Sequence, residues 1–398
     1  MSWHADVDQV FAERFHDGAP GCAVGVVQDG ELAFAKGYGS ANLEHDVAIT
    51  PETVFDIASG SKQFTAATAL LLADAGALAL DASVCHYLTQ LPRDPFVGVT
   101  VRHLIQHTGG IPDYLVLMSM SGRAWANDYP EDELIDLIGR QRSLDFTPGT
   151  GFSYSNSGYL LLAEVIRAAS GMSLRDAAQN RLFGPAGLTR TFFHDDASEV
   201  VPGRATAYAP HPDGGFRVDM PTIDVVGDGG AFTTVVDLAL WDRQFSECTL
   251  PGGPSFMERL TTPGTLADGS RISYAFGLVR DSYRGCERIQ HGGAWGGYRA
   301  QFLRLPEHQF SVIVLANVSS APVLDLAGSV ADVVLGARLA PRTAAAGVSL
   351  DLEPHLGLYL DDRASCILEI GTDSDGTAFI EFAGARMTAL PVDSATLE

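Results

Sequence analysis

The sequence predicts an α+β fold in which one antiparallel sheet, built from both ends of the first 340 residues, is covered by helices. Three observations predict it. Strand patterns occur at residues 22–35, and again at residues 286–317. Between them lies a long block of helical patterns. Strands that come in runs, rather than alternating with helices, favour an antiparallel sheet with a separate helical part, so we expect an all-α subdomain inserted into the sheet domain.

Each element follows from its local pattern. Residues 22–28 and 31–35 flank Asp29–Gly30, a dipeptide typical of hairpin turns, and therefore form the first two strands. Alternating apolar residues predict further strands, and a 3.6-residue period predicts helices. The later strands are expected at 287–291, 297–305 and 310–317. The helices are expected at 5–14, 59–75, 100–106, 131–141, 158–170, 174–182 and 322–337.

The chain divides into two parts of unequal size. Residues 1–340 form the main domain, and 341–348, which are rich in small residues, form a linker. Residues 349–398 form a small β appendage with strands at 356–360 and 366–370. This tail is too short for a complete barrel, so we expect a truncated one or a single sheet.

The amino-acid composition limits the classes of partner and cofactor that we expect. With 26 basic and 49 acidic residues the formal charge is -23, which repels phosphate backbones and anionic membranes. We therefore expect neither a nucleic-acid nor a membrane partner, and the oligomeric state stays open. The five cysteines are scattered without metal-ligand spacing, so no metal or other cofactor is expected. The first residues lack the pattern of a secretory signal, which favours a cytoplasmic location.

The first chemical motif is Ser59 followed by Lys62. A serine hydroxyl is a weak nucleophile and needs a base beside it. On a helix, residues three apart lie on one face, about 4.5 Å apart along the axis. A partly desolvated lysine loses its proton more readily, and a helix N-terminus offers free N–H groups to negative charge. A helix cap followed by a solvated lysine is the other interpretation of this pair.

Two later segments carry further polar groups. Tyr154 and Asn156 lie in a Gly-rich loop that leads into a helix, where a phenol can relay a proton and an amide can orient a lysine. A buried tyrosine and a capping asparagine are the alternative. His291 opens a segment with four glycines up to residue 297, and glycines there indicate close approach of the backbone to another group.

Together the three motifs, Ser-x-x-Lys, Tyr-x-Asn and His-x-Gly, lie in that order, roughly 90 and 140 residues apart. This combination resembles the serine β-lactamase-like hydrolase superfamily, which includes class C β-lactamases, penicillin-binding proteins and D-aminopeptidases. Further segments resemble the family, and the likeness covers about residues 15–338. The matching segments are 54–65, 104–114, 183–188 and 229–241. The fold implied is the β-lactamase/penicillin-binding-protein fold, with the site between the sheet and the α subdomain.

The resemblance implies a role for each motif residue. Ser59 is the acylated nucleophile, Lys62 and Tyr154 share its proton, and Asn156 orients Lys62 and the substrate. The backbone N–H groups of Ser59 and Ala294 form the oxyanion hole. His291 takes the place of the lysine that is usual in the third motif. Further substrate contacts are expected from three neighbours of His291. These are Gly293, Trp295 and Arg299, the last as a substitute cation if its side chain turns inward.

His-x-Gly is more similar to D-aminopeptidases, D-amino-acid amidases and esterases than to β-lactamases, because a largely neutral histidine gives little help to a substrate carboxylate. We therefore expect a serine hydrolase acting on small peptides, amides or esters that contain D-amino acids. Three alternatives remain. One is a penicillin-binding-protein-type thioesterase that cyclises peptides by aminolysis, and another is a weak β-lactamase, esterase or D-Ala-D-Ala carboxypeptidase. The third, of another class, is a non-catalytic binding protein on this fold.

Overall fold

A six-stranded antiparallel sheet joins the two ends of the main unit in our computed structural model. The structure describes residues 3–122, 129–221 and 224–341, and the strands of the C-terminal part. The strands of the main unit are β1 Cys22–Gln28, β2 Glu31–Tyr38, β3 Ser40–Asn42, β4 Val47–Ala48, β5 Phe55–Asp56, β6 Phe192–Phe193, β7 Tyr208–Pro210, β8 Phe216–Val218, β9 Ala231–Thr233, β10 Val279–Tyr283, β11 Cys286–Trp295, β12 Tyr298–Leu305 and β13 Phe310–Ala316.

The order of the large sheet is β10-β11-β12-β13-β1-β2, so the N-terminal hairpin pairs with the last strand of the unit. The pairing runs without a break from Cys22 opposite Ala316 to Gln28 opposite Phe310. The predicted sheet built from both ends of this unit is confirmed. β13 is buried along its whole length, and β1 along all but its last residue. Both faces of the sheet centre are therefore covered by other elements.

Helices supply that cover and the subdomain. They are α1 His4–Ala12, α2 Lys62–Asp74, α3 Arg93–Phe96, α4 Val101–Ile105, α5 Tyr114–Met120, α6 Glu131–Gly139, α7 Asn156–Ser170, α8 Leu174–Ala178, α9 Gly184–Ala186, α10 Val235–Gln244, α11 Gly253–Thr261 and α12 Val323–Leu335. α10 lies on one face, where a side chain at Gly25 would meet Val235. α12 packs on β12 and β13, and α7 packs on α2 and α4. Among the described residues, no helix is both long and apolar enough to span a bilayer.

The structure moves one important helix boundary. The pattern predicts a helix from residue 59, but α2 begins at Lys62, and Ser59 lies in a separate 3₁₀ turn, Ala58–Ser61. The reason is that this turn has the tighter 3₁₀ geometry, in which the Gly60 N–H donates to the Ile57 carbonyl oxygen three residues back, at 2.9 Å. α2 itself is buried from Lys62 to Leu72. A helix that is apolar nearly all round belongs in a core, and here it carries the lysine into that core.

The C-terminal residues form a second unit, Leu339–Glu398. Its strands are β14 Gly357–Asp361, β15 Cys366–Thr372, β16 Ala378–Phe382, β17 Ala385–Thr388, β18 Pro391–Asp393 and β19 Thr396–Leu397. β14 to β17 form an antiparallel meander, and β18 pairs with β19. The predicted appendage is thus β in character. Nearly all of the predicted linker, residues 341–348, lies outside the described residues, so that boundary stays a prediction.

A buried ion pair fastens α10 to the sheet. Arg304 Nη1 on β12 lies 2.7 Å from Asp242 Oδ1, and the two side chains are 6% and 1% exposed. The Ser311 hydroxyl on β13 also donates to Asp242 Oδ1. A buried charge without its partner is costly, so each group depends on the other.

We predict that Asp242→Ala destabilises the main unit by about 3–5 kcal/mol, because it leaves the Arg304 guanidinium buried and uncompensated. The matched control is Asp136→Ala, which removes the solvent-exposed partner of Arg140 and is expected to cost less than about 1 kcal/mol. Urea unfolding followed by tryptophan fluorescence measures both, with the buried Trp241 as a near reporter. Equal losses for the two variants would contradict the prediction.

Candidate active site

Ser59 lies on a strained turn between β5 and α2. Ala58 holds a left-handed φ of 47°, a conformation that costs an L-residue about 1–3 kcal/mol. Two contacts fix the turn: the Ala58 N–H donates to Asp56 Oδ1 at 2.7 Å, and the Ile57 N–H donates to the Ala231 carbonyl at 3.0 Å. Ala58 and Gly60 are buried while Ser59 between them is partly exposed. The turn therefore presents this one hydroxyl to the outside.

Lys62 Nζ has three acceptors around it. They are Ser59 Oγ at 3.0 Å, Asn156 Oδ1 at 2.9 Å and the Asp228 carbonyl oxygen at 2.6 Å. The two latter groups can only accept, so they hold two N–H bonds of the amine. When Lys62 is neutral, its lone pair is consequently left pointing at the Ser59 hydroxyl. The side chain is fully buried, and this geometry allows Lys62 to take the proton of Ser59.

Asp113 sets the orientation of Asn156. Its Oδ2 accepts from both the backbone N–H of Asn156, at 2.5 Å, and the Nδ2 of Asn156, at 2.9 Å. Its Oδ1 caps α5 by accepting from the N–H groups of Leu115 and Val116. Because Nδ2 is held by a carboxylate, Oδ1 of Asn156 must face Lys62. One carboxylate thus fixes which end of the amide the lysine meets.

The ring of Tyr154 lies beside the Lys62 amine. Lys62 Nζ is 4.9 Å from the centroid of the Tyr154 ring, and Tyr154 is 38% exposed. The ring is flanked by His107 at 4.3 Å and His291 at 6.3 Å between centroids. The structure therefore brings Ser59, Lys62, Tyr154 and Asn156 together, as the family resemblance implies.

His291 is buried on β11, and both of its ring nitrogens are engaged. Nδ1 lies 2.6 Å from the Gly292 carbonyl oxygen, which can only accept, so Nδ1 carries the proton. Nε2, 3.0 Å from the Tyr274 hydroxyl, is then the acceptor. Burial, with Lys62 as a second cause, lowers the pKa of His291 to about 4. The histidine is therefore neutral at neutral pH, as expected for this motif.

β11 approaches the nucleophile turn through a residue without a side chain. A Cβ at Gly293 would lie 2.0 Å from the Ile57 carbonyl oxygen and 3.1 Å from the Gly60 nitrogen. Only glycine permits this spacing, which brings the next residue, Ala294, close to Ser59. Ala294 is exposed. The oxyanion hole of Ser59 and Ala294 N–H groups remains a prediction that this approach supports.

Arg299 does not join the group. Side chains alternate along a strand, and Arg299 pairs with Ala294, so it lies on the sheet face opposite His291 and Gly293. Its Nη1 donates to the carbonyls of Gly296 and Tyr298, at 2.8 and 2.7 Å. The condition under which Arg299 would supply a cation, a side chain turned inward, is therefore not met in this structure, and a role for Arg299 in substrate binding stays a prediction. Trp295 is on the same face as His291 and is partly exposed.

Sequence reasoning did not single out four residues of this site. Asp113 and Tyr274 contact Asn156 and His291, His107 contacts Tyr154, and the Asp228 carbonyl oxygen accepts from Lys62. Burial raises the pKa of Asp228, whose carboxylate accepts from the Tyr114 hydroxyl at 2.9 Å. Asp113 directly precedes α5, and an aspartate at that position is a typical N-cap signal that could have singled it out. Among the described residues, His, Cys, Asp and Glu form no cluster suited to a metal ion.

Fold and site together define a β-lactamase-like hydrolase class, with serine, lysine and tyrosine at the junction of sheet and helices. The chain belongs to the Beta-lactamase family, which residues 7–335 match. The predicted family and its α+β fold are thereby confirmed.

One relative and two solved structures show the likeness. A D-aminopeptidase of Gluconobacter oxydans is 33% identical over 302 residues, which cover 76% of this chain and 56% of the relative. The chain thus spans little more than half the length of that protein. The octameric penicillin-binding protein homologue from Pyrococcus abyssi has a TM-score of 0.74 at 26% identity, with 100% of this chain and 91% of that chain covered. The D-amino acid amidase of Ochrobactrum anthropi has a TM-score of 0.66 at 22% identity, covering 84% and 98%, and shows the fold alone.

We predict that Asp113→Asn lowers kcat by about 10- to 100-fold, because an amide cannot accept from the α5 N–H groups and from Asn156 in one orientation. The Asn156 amide then loses its fixed direction towards Lys62. Ser173→Ala is the control, since it removes the cap of α8, where Ser173 accepts from the Asp176 N–H. Steady-state kinetics with matched thermal unfolding separates the two. An unchanged kcat in folded Asp113→Asn would contradict the assigned role.

Proposed function

We propose that the protein is a serine hydrolase that forms an acyl-enzyme on Ser59 with amides, peptides or esters containing D-amino acids. The observation that carries this proposal is the arrangement around Lys62. Two fixed acceptors hold its N–H bonds, and the third direction meets the Ser59 hydroxyl at 3.0 Å. A buried base aimed at a partly exposed serine is the arrangement that nucleophilic catalysis requires.

The reaction then proceeds in two stages. As Ser59 Oγ attacks the substrate carbonyl, its proton passes to Lys62 Nζ, and a tetrahedral oxyanion forms. The bond to the leaving nitrogen or oxygen breaks when that atom receives a proton. Tyr154 transfers this proton from Lys62 to the leaving atom. Water then attacks the ester of Ser59 and loses a proton to the same groups. That proton passes to Ser59 Oγ as its bond to the acyl carbon breaks, which releases the acid and restores the serine. Backbone N–H groups of Ser59 and Ala294 would bind the oxyanion, a contribution of about 3–4 kcal/mol for one donor.

The charges at the site favour neutral or cationic substrates. His291 is neutral, with its pKa lowered to about 4, and Arg299 lies on the far face of the sheet. The Asp113 carboxylate lies beside Asn156. The net charge of -23 also repels anions. A substrate with an amide or ester in place of a free carboxylate, and with a protonated amino group, therefore suits this site.

The preference for D-amino acids rests on similarity. The relative in Gluconobacter oxydans is named a D-aminopeptidase, and the fold neighbour in Ochrobactrum anthropi is a D-amino acid amidase. The neutral histidine in the third motif agrees with such substrates. These points support the proposal that the acyl group comes from a D-configured residue.

We predict that a fluorophosphonate labels Ser59 and leaves Ser61 unmodified. Ser61 is fully buried, and its Oγ accepts from the Ala231 N–H at 2.9 Å. Peptide mapping by mass spectrometry locates the adduct. Ser59→Ala should abolish labelling, while Ser61→Ala, the matched neighbour, should keep it if the turn survives. A stable adduct on Ser61 in the unchanged protein would overturn the assignment.

We predict that D-alanine p-nitroanilide is hydrolysed with a higher kcat/KM than nitrocefin, which carries a free carboxylate that this site does not neutralise. L-Alanine p-nitroanilide is the control for configuration and should be the poorer anilide. If nitrocefin is the better substrate by tenfold or more, the charge argument is wrong. If the two anilides react equally, only the assignment of configuration is lost.

A further inference from the structure

His107 accepts hydrogen bonds from the two residues on either side of Tyr154. It follows α4, and its backbone carbonyl oxygen accepts from the Ser153 N–H at 3.0 Å. Its ring Nδ1 accepts from the Ser155 N–H at 3.1 Å. The amides immediately before and after Tyr154 are therefore both bound to one residue. A backbone held at both neighbours leaves the phenol little freedom to shift along the loop.

The ring of His107 also packs against Tyr154. The two centroids are 4.3 Å apart with the planes at 38°, and His107 is only 3% exposed. On its other sides the ring meets Tyr274 at 4.5 Å and Tyr159 at 5.1 Å between centroids. Tyr154 thus rests on a wall of buried rings on the side away from solvent.

The hydrogen bonds define the state of the ring. Because Nδ1 accepts from Ser155, a neutral ring carries its proton on Nε2. Burial first, and then Lys62 and His291, lower the pKa of His107 well below its ordinary value. Nε2 is buried and has no hydrogen-bond partner among the described residues. A buried donor without an acceptor destabilises a protein, so filling space alone is a poor reason for a histidine here.

The backbone of His107 is left-handed as well, with a φ of 56°. Only a few per cent of non-glycine residues adopt this conformation, although histidine does so more often than most of them. An uncommon backbone conformation and an unpaired donor meet at one residue beside the site, and such departures from the usual rules concentrate at functional positions.

We propose that His107 is a positioning residue that holds Tyr154 in register for proton transfer, through its carbonyl, its Nδ1 and the face of its ring. It does not touch the reacting atoms. This inference rests on the proposed acyl-enzyme mechanism, in which Tyr154 passes a proton to the leaving group.

Two substitutions separate the contribution of the His107 ring from that of its left-handed backbone. His107→Gly keeps the left-handed conformation and the carbonyl but removes the ring, whereas His107→Asn keeps that conformation and places an amide oxygen near the position of Nδ1. We expect His107→Gly to lower kcat for D-alanine p-nitroanilide by about 10-fold or more with little change in KM, and His107→Asn to recover most of it. Rates are divided by the Ser59 concentration found by exhaustive fluorophosphonate labelling.

A double-mutant cycle tests whether His107 acts through Tyr154. If it does, His107→Gly combined with Tyr154→Phe is no slower than Tyr154→Phe alone, to within about threefold. The loss should also be smaller for p-nitrophenyl acetate, because p-nitrophenolate leaves without needing a proton. A double variant whose loss is the product of the single losses would mean that His107 acts only on the general structure, and the proposal fails.

Two further results distinguish a failure of the proposed mechanism from a failure of the proposal for His107. Full activity in Tyr154→Phe alone defeats the proposed mechanism itself, before His107 is considered. If His107→Gly does not fold, His107→Asn decides by itself: a folded variant that loses more than about tenfold in kcat overturns the proposal, since its acceptor is retained.

Discussion

Lys62 Nζ is the point at which distant parts of the chain meet. Its acceptors Asn156 and Asp228 lie 94 and 166 residues away in sequence, and Ser59 is only three residues away. Each of the two distant acceptors takes a hydrogen bond from the lysine, so the only direction left on Nζ is the one towards Ser59. The activating geometry is therefore a property of the tertiary fold. The local Ser-x-x-Lys spacing places the two side chains next to each other. Asn156 of the helical subdomain and Asp228 of the loop before β9 orient the amine towards the hydroxyl.

Main-chain contacts, more than side-chain packing, set the positions of the reactive groups. The left-handed turn at Ala58 costs about 1–3 kcal/mol, which is comparable with the net gain of one to three hydrogen bonds of about 1 kcal/mol each. The turn has two such hydrogen bonds, from the Ala58 N–H to Asp56 at 2.7 Å and from the Ile57 N–H to Ala231 at 3.0 Å. Gly293 then lets β11 reach the turn at a distance that a Cβ would forbid. Neither half of the site is placed without the other.

Sequence patterns predicted what depends on short spacing. The hairpin of β1 and β2 and the strands β11 to β13 follow from local periodicity, whereas the grouping of Ser59, Lys62, Tyr154 and Asn156, which lie far apart in sequence, was predicted from the family resemblance of the three motifs. What local patterns did not settle depended on backbone geometry and strand register. The α-helix starts at Lys62 because the turn that holds Ser59 is 3₁₀, and strand register places Arg299 on the other face of the sheet. Asp228 contributes its main-chain carbonyl oxygen, and a main-chain contact cannot be predicted from the type of residue.

The spread of these contacts along the chain gives the chemistry a use as a folding reporter. A fragment that lacked either Asn156 or Asp228 would leave the amine of Lys62 without one of its fixed acceptors. On the proposed mechanism, modification of Ser59 therefore reports assembled molecules and not compact but incompletely packed ones, which circular dichroism does not distinguish by helix content alone. Counting Ser59 residues labelled by short fluorophosphonate pulses during refolding would thus time the final docking step of the main unit.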